Sequence, residues 1–181
     1  MIYELKNCRN GEAAPYATTV EITEENGRLR FFFRAEHSAY YCPHTGYNKI
    51  HSEGDACEIL IGNDPERKTY YEMEISAKGD LMLARMVNHG FEKSGDPILE
   101  THFEDVPFIE GEVEHFDGGY TAYFSFERTS VCTHGDAPVY FNAYRLETDG
   151  GEMDKHLFAL NPTMYPKFHH PECFIDLDKS L

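Results

Sequence analysis

Two carboxylates, Asp55 and Glu58, stand three residues apart at the head of the short apolar run Cys57-Glu58-Ile59-Leu60-Ile61-Gly62. Carboxylates so placed accept hydrogen bonds from hydroxyl groups or give oxygen ligands to a metal ion; the bland alternative is loop hydrogen bonding and a solvated acidic edge. Strand alternation sets Cys57 and Ile59 on one face and Glu58 on the other, toward a cleft or toward water. Just upstream, Tyr40, Tyr41 and Tyr47 offer rings that pack on the apolar side of a ligand. Metal-ligand residue types gather in His169-His170-Pro171-Glu172-Cys173, and more loosely in Cys42-Pro43-His44 and Cys132-Thr133-His134. A zinc centre draws about four convergent ligands, usually in paired spacings. No Cys-x-x-Cys or His-x3-His pair occurs, so no transition-metal site stands out. Calcium wants clustered oxygens; Asn63-Asp64, Asp96 and Asp117 sit in candidate turns, but no continuous calcium loop is present. Arg145, among apolar neighbours, calls for an acidic partner, because an unpaired buried charge is costly.

Other chemistries lack their signatures. There is no Gly-x-Ser-x-Gly elbow, no phosphate-cradling Gly-x4-Gly-Lys-Ser/Thr and no dinucleotide Gly-x-Gly-x-x-Gly. Glycoside hydrolysis needs two carboxylates about 5–10 Å apart. With 32 acidic residues some pair will meet that spacing, and no motif selects one.

The elements that must position these residues read as strands. Candidate segments are Ala17–Glu24, Leu29–Ala35, Cys57–Gly62, Tyr71–Ile75, Leu81–Val87, Ile109–His115, Tyr120–Glu127 and Val139–Glu147. Leu29, Phe31, Phe33 and Ala35 alternate with polar residues and Phe32; Tyr120, Ala122, Phe124 and Phe126 share one face. Asn63-Asp64-Pro65 and Ala77-Lys78-Gly79-Asp80 read as turns. Asn88–Val106 reads as a long loop with at most a short strand, and Asp149–Leu181 as an aperiodic tail. No segment offers a three-turn amphipathic helix. The expectation is an all-β antiparallel sandwich of two packed sheets, of jelly-roll or immunoglobulin-like type, in one domain over residues 1–181.

The 181 residues include 41% hydrophobic and 14% aromatic side chains, enough for a sizeable core. The net charge of −16 argues against nucleic acid and against anionic membrane surfaces as partners. Met1–Cys8 lacks a basic region followed by an apolar one, and no apolar run is long enough to span a membrane. Five irregularly spaced cysteines are not a disulfide framework. The expected setting is cytoplasmic, with reduced thiols.

Three segments in order resemble the family 9 carbohydrate-binding modules and their β-sandwich relatives. Gly54-Asp55-Ala56-Cys57-Glu58-Ile59-Leu60-Ile61 is similar to the family's Asp-x-x-Glu and following strand. Tyr70-Tyr71-Glu72-Met73-Glu74-Ile75-Ser76-Ala77-Lys78-Gly79 is similar to the next strand and Gly turn. Phe141-Asn142-Ala143-Tyr144-Arg145-Leu146-Glu147 and Phe168-His169-His170-Pro171-Glu172-Cys173-Phe174 are similar to the family's Asn-x-x-Arg strand and closing His-x-Pro-x-x-Phe segment. The likeness spans roughly residues 15–178. It implies two antiparallel sheets and sugar binding, often beside glycoside hydrolases; family members can carry structural calcium. It also casts His169 or His170 as a loop anchor.

The best-known sugar binders of the family clamp a terminal sugar between two Trp rings. This chain has no Trp. The two platforms fall near Ser52 and Leu160, the sugar-reading Arg at Glu74 and its Asn partner at Ser76; Glu58 is the polar group retained. The resemblance therefore implies a non-catalytic carbohydrate binder whose site draws on Glu58, Asp55, Tyr41, Tyr47, Asn142 and Asn161. No cofactor is required, and calcium is an optional structural element. Two other readings stand beside it: a small glycosidase, expected to hold opposed carboxylates in a deep pocket with one raised pKa, and a protein-interaction sandwich that has lost sugar binding and forms a homo-oligomer through a sheet edge or face.

Overall fold

A computed structural model describes residues 1–37, 39–50, 54–151 and 155–181. In chain order the strands are β1 (Ile2–Glu4), β2 (Lys6–Asn7), β3 (Thr18–Glu25), β4 (Arg28–Glu36), β5 (Ala56–Gly62), β6 (Thr69–Ser76), β7 (Leu81–Phe91), β8 (Pro97–Phe103), β9 (Glu110–Phe116), β10 (Gly119–Glu127), β11 (Tyr140–Glu147), β12 (His156–Ala159) and β13 (Ile175–Asp176). They form two antiparallel sheets. The smaller runs β1-β3-β4-β10-β9; the larger runs β2-β12-β11-β5-β6-β7-β8, with β13 also on β11. The expected all-β sandwich is the observed fold.

The alternation explains the packing. Leu29, Phe31, Phe33 and Ala35 of β4 and Tyr120, Ala122, Phe124 and Phe126 of β10 are all inaccessible to solvent. They meet Cys57, Ile59, Ile61, Met73, Ile75, Leu83, Phe141 and Ala143 from the inner face of the larger sheet. Burying each large apolar side chain is worth about 1.5–3 kcal/mol, and Phe31 stacks on Phe126 with ring centroids 6.0 Å apart. Gly111 permits close approach of the sheets: a Cβ there would stand 2.6 Å from Leu81 Cδ2. Arg145 enters this core. Its Nη1 donates to Thr18 Oγ1 (2.9 Å) and to the Glu36 carbonyl (2.8 Å), so a hydroxyl and a carbonyl hold it where an acidic partner was expected.

Two segments differ from the sequence reading. β7 continues to Phe91 and pairs with β8 across a bulge between Asn88 and Phe91, where a long loop was expected. β8 is an edge strand with intermediate or exposed residues throughout, so little hydrophobic alternation is imposed on it. The tail contributes β12 and β13, then closes over the outer face of the larger sheet. That face holds a second apolar cluster: Leu60, Tyr70, Met82, Ala84, Met86 and Tyr144 against Cys8, Ile50, Ala159 and Phe174, with Phe168 packed on it. Covered on both faces, β5 is buried at all seven positions. Among the described residues, no helix is long and apolar enough to cross a membrane.

Candidate functional site

The outer face of the larger sheet carries Glu58 on β5 and Glu72 and Glu74 on β6. Register pairs Glu58 with Glu74 and Leu60 with Glu72, so Glu72 is the diagonal neighbour of Glu58 on the same face. Over them lies a cavity of about 380 Å3, floored by these acids and Ala56, walled by Leu146, Leu157, Phe168 and His169, with Lys155 and Lys167 also lining it. The volume falls within the range of small-molecule sites, about 300–1,000 Å3.

Glu58 is 5% exposed, and its Oε1 has no hydrogen-bond partner. Burial, with the charges of Glu72 and Glu74 added, holds its carboxyl well above the usual carboxylate range. His169 reaches in from the tail: Nε2 lies 3.3 Å from Glu72 Oε1, and Nδ1 bonds the Tyr70 hydroxyl at 3.0 Å. One ligand atom from each of Glu58, Glu72 and His169 lies within 4.8 Å of the others. Phe168 is stacked on Tyr144 (centroids 4.4 Å apart), whose hydroxyl donates to the Phe168 carbonyl at 2.9 Å.

Of the six residues expected to form the sugar site, Glu58 alone lines this cavity. Asp55, 1% exposed, is a loop staple: it accepts from the Tyr41 amide (2.8 Å) and the Thr148 hydroxyl (2.5 Å). Burial raises its pKa, and those same bonds oppose the rise. Gly54, at φ +93°, brings the chain against Tyr41, where a Cβ would stand 2.6 Å from the Tyr41 carbonyl oxygen. Tyr41 is thus held by its backbone, and the Tyr47 hydroxyl donates to the Glu104 carbonyl at 2.9 Å. Asn142 is inaccessible; its Nδ2 donates to Tyr144 Oη (2.9 Å) and the Asn161 carbonyl (2.7 Å), and its Oδ1 accepts from the Asn161 amide (3.0 Å). Asn161 Nδ2 in turn donates to the Cys173 carbonyl at 2.8 Å. These two amides fasten the tail to the sheet.

Of the positions taken over from the resemblance, Glu74 lines the cavity. Ser76 caps a turn by accepting from the Asp80 amide at 3.1 Å. Leu160 packs against the main core rather than into the cavity, and Phe168 is the ring that lines it. Ser52 lies outside the described residues. Sequence reasoning missed Glu72, Phe168 and His169 as a group; the signal was present only as Glu72 sharing the parity of Glu74 on one strand.

A second cluster joins His37, Glu147 and Asp149. His37 Nδ1 bonds Glu147 Oε1 at 2.7 Å, His156 Nε2 bonds Asp149 Oδ2 at 2.9 Å, and the Tyr16 hydroxyl donates to Asp149. Both imidazoles are already engaged by carboxylates. A larger open depression of about 730 Å3 lies beside Asp64–Thr69 and Val87–Phe91. Its Asp64 carboxylate accepts from the amides of Glu66, Lys68 and Thr69 (2.9–3.1 Å), so this acid of the expected calcium turns is occupied in holding a loop.

The fold recurs in solved structures. A candidate carbohydrate-binding protein from Bacteroides uniformis matches with TM-score 0.74 and 13% identity, over 96% of this chain and 84% of that one. A family 9 carbohydrate-binding module from Caldicellulosiruptor kristjanssonii in complex with cellotriose matches with TM-score 0.59 and 7% identity, over 96% of this chain and 76% of that one. One from the same organism in complex with glucose gives TM-score 0.55 and 10% identity, over 96% and 82%. The chain therefore has the sandwich fold of the family 9 modules. No protein-family model matches it, and no curated protein matches its sequence.

Proposed function

We propose that this chain is a non-catalytic carbohydrate-binding domain that receives one sugar unit in the cavity over Glu58. The observation that carries the reading is the buried Glu58 carboxylate, an acceptor with a partnerless oxygen on the floor of a cavity sized for a small ligand. A sugar hydroxyl donates to that oxygen, and the carboxyl in its protonated form donates to a sugar oxygen in turn. Phe168, Leu146 and Leu157 supply apolar surface for the C–H side of the ring. The glucose and cellotriose complexes of fold relatives support the ligand class.

One observation favours glycoside hydrolysis instead: Glu58 combines a raised pKa with adjacent acids. Yet Glu58, Glu72 and Glu74 stand side by side on neighbouring strands of one floor, whereas hydrolysis needs carboxylates flanking the bond on two sides. Binding is the better reading.

Calorimetry against soluble mono- and oligosaccharides, glucose and cellotriose included, tests it. Saturable binding that Glu58→Ala weakens at least tenfold is expected. Silence across the panel, or affinity unchanged in that variant, overturns it. Turnover of aryl glycosides that Glu58→Gln abolishes would establish the enzymatic reading.

A further inference from the structure

Glu58, Glu72 and His169 converge in a way that sugar recognition does not require. Three ligand atoms lie within 4.8 Å of one another, on a floor closed beneath by the sheet and open above to the cavity. Glu58 is more than nine-tenths buried and its Oε1 has no partner. His169 Nε2 and Glu72 Oε1 are 3.3 Å apart. That is longer than a charge-assisted nitrogen–carboxylate bond, about 2.7–2.9 Å. It equals the edge between two ligands of a tetrahedral ion with bonds of about 2.0–2.1 Å, which is about 3.3 Å.

We infer that Glu58, Glu72 and His169 form a binding site for a divalent transition-metal ion such as Zn2+ at the base of the cavity. Two carboxylates and one imidazole make three protein ligands, which leaves the fourth position of a tetrahedral ion open, here toward the cavity. The imidazole selects against calcium and magnesium, which take oxygen ligands almost exclusively. Tyr70 completes the arrangement. Its hydroxyl meets His169 Nδ1 at 3.0 Å; in a metal-bound state Nδ1–H would donate to the phenol oxygen and leave the Nε2 lone pair for the ion, as metal-bound imidazoles are commonly oriented. The His37, Glu147 and Asp149 cluster differs: His37 and the adjoining His156 stand 2.7 and 2.9 Å from their carboxylates, closed hydrogen bonds, against 3.3 Å between His169 and Glu72. The site stands independently of the sugar reading, since no sugar enters the argument for it.

The test is calorimetric titration of the chelator-treated full chain with Zn2+, without sugar. One equivalent should bind. Glu58→Gln and His169→Gln should each weaken binding by about 100-fold or more, Tyr70→Phe by about tenfold, and His37→Gln by nothing. Co2+ should give the intense visible bands of a low-coordinate site, absent in Glu58→Gln, a variant that replaces the carboxyl by an amide of the same shape. No stoichiometric Zn2+ binding, tighter binding of Ca2+ than of Zn2+, or affinity unchanged in Glu58→Gln would each overturn the assignment. If protein that fails the Zn2+ titration still binds sugar, the function proposed above stands while the metal site falls.

Discussion

On the outer face of the smaller sheet, Phe32, Arg34, Glu112 and Glu114 stand exposed, and Arg34 lies over the Phe116 ring at 3.9 Å. On the outer face of the larger sheet, Glu58, Glu72 and Glu74 occupy equivalent outward positions but are at most 5% exposed. The first group costs little, since water solvates each charge and ring edges are tolerated singly. The second is paid for in desolvation, and nothing about a β-sandwich demands it. A fold that needed only a covered sheet would place Leu or Val at those three positions. The difference marks the larger sheet's outer face as the one shaped for something other than stability.

That comparison can be broken or sharpened by substitution, and the largest effect should come from the inner face. Arg145→Met removes a buried cation that bonds Thr18 and Glu36 and partly offsets Asp55. We expect a loss of about 3–5 kcal/mol in urea unfolding; a loss under 1 kcal/mol would mean its bonds carry no structural weight. Asn142→Ala should cost about 2–3 kcal/mol by stranding the Asn161 backbone groups. Hydrogen exchange should then accelerate in residues 161–174 ahead of the sheets, and uniform acceleration would contradict the fastening role.

Glu58→Gln runs the other way. In the metal-free protein its carboxyl is held above the unfolded value, near 4.3. The folded state therefore binds more protons, and wild-type stability falls as pH rises from about 4.3 through the folded pKa. The Gln variant escapes that fall. Its advantage should be near zero at pH 4 and grow to about 1–3 kcal/mol at pH 8, read from unfolding midpoints. A destabilised variant at pH 8 would mean the carboxylate is compensated within the protein. Least of all, Glu112→Gln on the smaller sheet should change stability by less than about 0.5 kcal/mol and leave Zn2+ and sugar titrations untouched.

Much of the sandwich was legible because its inner faces obey period-two alternation; β4 and β10 read directly as buried Leu29-Phe31-Phe33-Ala35 and Tyr120-Ala122-Phe124-Phe126. β8 was not, since an edge strand need not bury either face. The tail was not, since it is held by side chains bonding backbone: Asn142 to Asn161, Asn161 to Cys173, Tyr144 to Phe168, and Thr163 Oγ1 to the Lys167 carbonyl at 2.8 Å. Such ties leave no periodic trace. Glu58 was visible through a family resemblance, but its companions are not neighbours in sequence. Strand register brings in Glu72, and the tail brings in His169. Asp55, Asn142 and Asn161 are conspicuous polar residues for a structural reason, because buried polar groups must find partners.

The tail also sets an order of events during synthesis. The floor of the cavity is complete once β6 has left the ribosome, yet Phe168 and His169 follow about a hundred residues later, which is several seconds at ordinary elongation rates of about 5–20 residues per second. Through that interval Leu60 and Tyr70, joined by Met82 and later Tyr144 as they emerge, lack their tail covering, beside three acids still open to water. The carboxylates that burden the finished protein would keep its nascent sheet soluble until the covering arrives.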